Sequence, residues 1–276
     1  MPTQQDVSRH YTHGNLVAAI RSGIESLGKT INSITIDDLA PVDEYHIGGR
    51  QASEEFLGQL DLTPDKHVLD VGCGLGGAAR FVASRYGCRV TGIDLTPEFI
   101  ETGKVLCGWV GLDSRISLHQ GSALSMPFAD HFFDCAYMLH VAMNIDDKVK
   151  LCSEVSRVLR PNALFGIYDV MRIGEGELTY PVPWAMTAAS SAVATPAQYR
   201  EALKKAGFSI VAERNRRDFA LTHYDQLRAK IAAAGGPPAL GHHILMGKST
   251  PEYLKNMIEN ISSGRLAPVE VIARKS

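Results

Sequence analysis

Apolar positions along the chain follow two rhythms. Short apolar runs end in polar or glycine-rich turns near residues 67–71, 89–94, 116–119, 132–137, 164–168, 208–212 and 268–273, and these read as strands. Between them apolar residues recur at helical spacing. Positions 16, 17, 20, 24 and 27 mark one helical face, and Gly28 provides a stop. Further helices are expected over 51–60, after the turn at 72–77, from Thr96-Pro97 to about Trp109, and from a cap at Asp146 to Arg160-Pro161. Three more are expected over 196–206, 224–234 and 251–261. Two stretches fit neither rhythm. Pro41 and the Gly48-Gly49 pair predict irregular chain over 36–50, and the Gly-, Pro- and aromatic-rich segment 171–190 predicts an insertion without regular structure. Strands alternating with helices give an α/β architecture.

The densest chemistry lies at the first strand. His67-Val-Leu-Asp70-Val-Gly72-Cys73-Gly74-Leu-Gly76-Gly77 reads as strand, tight turn and helix start. Gly72, Gly74 and Gly77 fit the spacing of dinucleotide turns, a weak signal alone. Asp70 decides against a pyrophosphate, because a carboxylate beside the turn repels phosphate and attracts an ammonium or sulfonium. Asp94 ends the next strand, where an acid can take both hydroxyls of a ribose. The implied ligand is a nucleoside with a positive, amino-acid-like tail.

At these residues the chain resembles the class I S-adenosylmethionine-dependent methyltransferases. The resemblance extends to Gly121-Ser-Ala-Leu-Ser-Met-Pro127-Phe, to Phe132-Phe-Asp134-Cys-Ala-Tyr and to Val158-Leu-Arg-Pro161-Asn-Ala-Leu-Phe-Gly-Ile-Tyr-Asp169. It covers roughly residues 50–215, and within the family it is strongest to small-molecule enzymes such as sarcosine/dimethylglycine N-methyltransferases and ubiquinone-biosynthesis C-methyltransferases. It implies a Rossmann-like, doubly wound α/β fold, with a seven-stranded sheet whose last strand is antiparallel. An N-terminal helical lid (1–50) precedes a methyltransferase domain (51–276) with insertions at about 171–190 and 222–264. It implies S-adenosyl-L-methionine as cofactor, held by Asp70, Gly72, Cys73, Gly74, Gly76, Asp94, Leu95, Gly121, Ser122, Ala123 and Leu139. Ser122 stands where the family usually carries an acid for the adenine amino group. His140 and Asn144 match the family's polar loop near the methyl group and are the expected catalytic residues. Tyr45 and His46, from the segment before the domain, and Arg172, Tyr180, Trp184 and Met186, from the first insertion, are the expected substrate contacts.

Composition bounds the rest. The chain has 276 residues, 45% of them hydrophobic, enough for one α/β domain with additions. A net charge of −2 gives no electrostatic case for nucleic acid or an anionic membrane. Five cysteines without paired spacing suggest free thiols in the cytoplasm, and neither a secretory signal nor a bilayer-spanning run is apparent. His242 and His243 are adjacent and face apart, so no metal site is expected. The helical pair before the last strand is expected to cover the pocket or form a homodimer contact. Two other readings stay open: a cofactor-binding protein without transferase activity, and a nicotinamide-dependent oxidoreductase, which Asp70 disfavours.

Overall fold

A computed structural model of the chain describes residues 3–276. In chain order the elements are α1 Gln4–His10, α2 Leu16–Ser26, α3 Ile36–Asp43, α4 Gly49–Leu57, β1 His67–Val71, α5 Gly77–Tyr86, β2 Arg89–Asp94 and α6 Pro97–Trp109. They continue with β3 Ile116–Gln120, β4 Phe133–Leu139, α7 Lys148–Val158, β5 Leu159–Arg172, α8 Pro196–Lys205 and β6 Phe208–Asn215. The last four are α9 Arg217–Ala234, α10 His243–Met246, α11 Thr250–Ser262 and β7 Leu266–Lys275.

The strands form one sheet in the order β3-β2-β1-β4-β5-β7-β6. β1, β2, β3, β4 and β5 pair in parallel, and β7 runs antiparallel to both of its neighbours. The expected sheet with an antiparallel last strand is therefore present. Both faces are covered. One core layer packs α7 and α8 under β4, β5 and β7, around Phe133, Phe165, Val155 and Leu203. The other packs α4 and α5 against β1, β2 and β5, around Phe56, Phe81, Leu69's neighbour Val68, and Tyr168. The order reverses between β1 and β4, which opens a crevice at the strand C-termini.

Three local expectations are corrected. Residues 36–43 are helical, not irregular. Thr35 and Asp38 form a reciprocal capping box, which secures the start and lets the helix carry Pro41 inside it. α7 is capped by Asp147, whose carboxylate accepts the Lys150 N–H at 2.8 Å, and not by Asp146. β5 is longer than its apolar run, because its pairing with β7 continues as far as Arg172 opposite Leu266.

The segment before β1 is pinned to the sheet layer. Arg80 on α5 is buried and pairs with buried Asp43 at the end of α3, while its Nη1 donates to the Leu75 carbonyl at 2.8 Å. Gly77 sits so close to this segment that a Cβ would lie 2.4 Å from the Asp43 carbonyl oxygen. Glu44 is likewise buried, bound by Arg50 and by the Ser53 hydroxyl at 2.6 Å. α1, by contrast, buries none of its residues.

Candidate active site at the strand tips

The turn after β1 is built from backbone constraints. The N–H groups of Gly72 and Cys73 both donate to the Ile93 carbonyl, at 2.8 and 3.0 Å, which locks the turn to β2. Gly72 has φ +72°, and a Cβ there would stand 2.4 Å from Val141. Position 72 therefore admits only glycine. Gly74, with φ +52°, has open space on that side: a Cβ would meet nothing nearer than Phe99 at 4.0 Å. Gly72, Cys73 and Gly74 all line a cavity of about 360 Å³ at the strand tips. Gly76 does not. It caps α5 in the left-handed conformation beside Leu118 and Arg80.

Five aspartates line this cavity: Asp43 is paired with Arg80, Asp146 and Asp147 are exposed, and Asp70 and Asp94 stand at the strand tips. Asp94, at the tip of β2, accepts the Gly74 N–H at 2.9 Å and the Thr96 N–H at 2.8 Å. These bonds fix the carboxylate plane and leave lone pairs for a ligand. Asp70 is buried and accepts the Tyr137 hydroxyl at 3.0 Å. Burial pushes its carboxyl up to about 7, and nearby Asp94 pushes in the same direction. Leu95, Gly121, Ser122, Ala123 and Leu139 complete this end. The Ser122 hydroxyl accepts the Leu124 N–H at 3.1 Å, so it shapes its loop as well as facing the cavity. Burial pushes the Cys73 thiol well up, which leaves it a space-filler and not a nucleophile.

The loop after β4 divides the cavity. His140 has φ +55°, an uncommon conformation for a residue with a side chain, and its N–H donates to the Tyr168 carbonyl at 2.7 Å. Its Nε2 is buried without a hydrogen-bond partner. Burial, reinforced by His46 and His242, holds the ring well below the ordinary histidine range, so it is neutral. Its ring lies 5.0 Å from that of Tyr168 and 6.0 Å from that of His46. Asn144 donates to the Tyr11 hydroxyl at 3.2 Å and to the Val141 carbonyl at 3.3 Å. Beneath the loop, buried Asp169 accepts the Ala142 N–H at 2.8 Å and the Tyr199 hydroxyl at 2.7 Å. Asp169 thus holds the loop in place without itself lining the cavity.

Beyond the loop the cavity turns apolar and aromatic. Tyr45, His46 and Trp184 line it, as expected. His46 Nε2 lies 3.1 Å from the Gly49 carbonyl, which places the proton on Nε2 and leaves Nδ1 as the acceptor. Burial lowers this ring to about 3. Trp184 is anchored by a 2.9 Å bond from Nε1 to the Ser191 hydroxyl. Arg172, Tyr180 and Met186, expected as substrate contacts, are not among the residues lining the cavity. Arg172 is spent on the Gly176 carbonyl. Tyr180 packs on the apolar cluster under α11, and Met186 is half exposed, accepting from the Tyr253 hydroxyl at 3.2 Å.

Sequence reasoning passed over several lining residues. Tyr11 comes from the N-terminal stretch, His223 and Tyr224 from α9, and His242, Met246 and Met257 from the helices before β7. Their one signal was the insertion before the last strand, which gave no register. Tyr137 was readable as the residue ending β4, next to β1 in a parallel sheet. Among the described residues no group of histidine, cysteine, aspartate or glutamate is arranged for a metal ion.

Comparison with known proteins agrees with this geometry. Residues 69–167 match the family described as Methyltransferase domain. The sarcosine/dimethylglycine N-methyltransferase of Halorhodospira halochloris is 27% identical over 251 residues, 85% of this chain and 88% of that one. The O-methyltransferase resE of Aspergillus sclerotiorum is 28% identical over 170 residues, 61% of this chain and 62% of that protein. Only 33% of the glycine/sarcosine/dimethylglycine N-methyltransferase of Actinopolyspora halophila is matched, at 25% identity over 68% of this chain. Among solved structures, geranyl diphosphate C-methyltransferase from Streptomyces coelicolor A3(2) superposes with TM-score 0.71 over 100% of this chain and 99% of that one, at 19% identity. The [4+2]-cyclase SpnF superposes with TM-score 0.70 over 99% and 97%, at 21% identity. The chain carries a methyltransferase domain within the class I S-adenosylmethionine-dependent methyltransferase fold.

Proposed function

We propose that the chain transfers the methyl group of S-adenosyl-L-methionine to a small-molecule acceptor. The observation that carries this reading is one cavity lined by two kinds of residue: Asp70, Asp94 and the open side of Gly74 from the strand tips, and a mostly apolar and aromatic set with His140 from the loop after β4, the segment before β1 and the helices before β7. The donor set fits the cofactor. Asp94, bonded by the Gly74 N–H, would take the ribose hydroxyls, and Asp70, bonded by the Tyr137 hydroxyl, would take the ammonium of the amino-acid tail. Leu95, Ser122 and Ala123 would flank the base. Bound S-adenosylmethionine supplies an electrophilic methyl group on a sulfonium, which loses its charge as the bond breaks.

The chain's own contribution is positional. The Asp169-held loop places His140 and Asn144 in the cavity lining, so that an acceptor can be oriented in line. Aromatic walls reduce the water around the acceptor, which strengthens each polar contact inside. His140 is neutral and can only accept or donate one hydrogen bond at Nε2. It orients the acceptor and is a poor proton sink.

The proposed lid is narrower than residues 1–50. Asp43–Arg80 and Glu44–Arg50 anchor α3 and α4, so α1 is the part free to open. α1 meets the site through Asn144 at Tyr11 and through His10 Nε2, 2.9 Å from the Pro183 carbonyl. Five buried thiols, unpaired in the fold, support a reducing compartment such as the cytoplasm. No described helix is long and apolar enough to cross a membrane.

Incubation with methyl-labelled S-adenosylmethionine and a pool of small metabolites tests the proposal. Label should appear in a product one methyl heavier, with S-adenosylhomocysteine formed in equal amount. Tight cofactor binding with no transfer to any acceptor would favour a role without catalysis, the reading that the likeness to the SpnF cyclase fold keeps in view.

A further inference from the structure

The charge inventory of the acceptor end narrows the substrate. Among the described residues, no lysine or arginine lines the cavity. Several cations of the surrounding elements are engaged. Arg80 is paired with Asp43 and Arg50 with Glu44. Arg216 is paired with Glu270 and Glu55, at 2.6 and 2.7 Å. Lys148 is held on the carbonyls of Ile145 and Ala192. None can swing inward without leaving a buried carboxylate or carbonyl unpaired. The lining histidines are poor substitutes, because burial lowers all four, His46, His140, His223 and His242, and so disfavours their charged form.

A carboxylate or diphosphate placed here would be buried without a counter-charge, which is strongly unfavourable. The wall offers instead Leu227, Leu254, Met246, Met257, Tyr224 and Trp184. One polar demand is left in it. His140 Nε2 is buried and has no partner. Its neutral ring can present Nε2 as donor or as acceptor, and a hydroxyl, which does both, satisfies either tautomer.

Resting on the methyl-transfer reading above, we propose that the acceptor is an uncharged, largely apolar molecule whose hydroxyl hydrogen-bonds to His140 Nε2 and is the atom methylated. The hydroxyl oxygen forms the new bond to the methyl carbon as the carbon–sulfur bond breaks. The sulfur keeps the bonding pair, and the hydroxyl proton leaves to solvent. Carboxylate-bearing amino acids such as sarcosine and prenyl diphosphates, acceptors named for two of the similar proteins, are disfavoured by the same inventory.

Three probes of one shape separate the possibilities: 4-butylphenol, 4-butylbenzoate and 4-butylbenzylammonium, titrated calorimetrically into the full chain saturated with S-adenosylhomocysteine. The phenol should bind at least 10-fold more tightly than either charged probe. With S-adenosylmethionine it should yield 4-butylanisole. His140→Phe should remove most of the advantage of 4-butylphenol over butylbenzene, and His140→Gln, which keeps a polar group, should retain part of it. Preferential binding of the benzoate, or turnover of sarcosine, would overturn the proposal. So would preference for the ammonium, which would assign the aromatic wall to a cation. Binding of none of the three, with S-adenosylhomocysteine still bound, would reject this acceptor class and leave the cofactor reading standing. Failure to bind S-adenosylhomocysteine would reject both.

Discussion

Asp70 has a measurable signature. Burial holds its carboxyl up at about 7 in the ligand-free chain, so near pH 6 it is mostly neutral. An ammonium beside it favours the ionised form, so cofactor binding must expel a proton below that pH. Affinity for S-adenosylhomocysteine should therefore rise as pH increases from 5.5 to 7.5, by up to tenfold per unit at the acid end. The sign for folding is opposite. A raised carboxyl pKa means that the folded chain holds a proton the unfolded chain has lost, so this group's contribution falls as pH rises from about 4 to 7. Asp70→Asn should flatten the pH profile of binding without lowering the melting temperature at pH 7.5. A pH-independent affinity in the native chain would show that no cation sits at Asp70. These acids were legible because each ends an apolar run beside glycine. His140 was legible as a strand-tip residue, but its neutrality was not, since it arises from burial, reinforced by His46 and His242, which come from distant parts of the chain.

At the scale of elements, α1 and the segment behind it behave differently. Gln4–His10 buries nothing and, with Tyr11 that follows it, makes two hydrogen bonds at the site, whereas α3 ends in the buried Asp43. Deleting residues 1–13 should leave the melting temperature within a few degrees of the full chain and lower turnover at least tenfold, because Tyr11 no longer closes over Asn144. Hydrogen exchange should slow in residues 4–11 on adding S-adenosylhomocysteine and stay slow in residues 39–50 with or without it. Equal activity of the truncated chain would rule out the lid. The sequence concealed this division, because Pro41 looked like a break and the Thr35–Asp38 box was overlooked. Of the stretch 171–190, Met171 and Arg172 belong to β5, and the irregular chain beyond them has no period to say which side chains point inward. Trp184 faces the cavity, whereas Arg172, Tyr180 and Met186 are used elsewhere.

For the molecule as a whole, the sheet was legible because each strand is a short apolar run set between helices, and the glycine turn fixed where the first crossover lies. The contacts that join distant elements were not. Nothing in the sequence links Asp43 to Arg80, and in a helical pattern Arg80 reads as a surface residue. The pair is buried, so removing one partner strands the other charge. Asp43→Ala should cost about 3–5 kcal/mol in urea unfolding. Replacing both residues with apolar ones should cost less than that single change. If Asp43→Ala unfolds at the native urea midpoint, the segment before β1 is not part of the cooperative fold.

The whole account rests on a nucleoside with a cationic tail occupying the strand tips between Asp70 and Asp94. Calorimetric titration of the full chain with S-adenosylhomocysteine, with NADH as the comparison, addresses this directly. One equivalent of S-adenosylhomocysteine should bind, Asp94→Ala should weaken it by about 1.5–3 kcal/mol as ribose hydrogen bonds to a carboxylate are lost, and NADH should give no heat. Unchanged affinity in Asp94→Ala, or tight binding of NADH by the native chain, would contradict it.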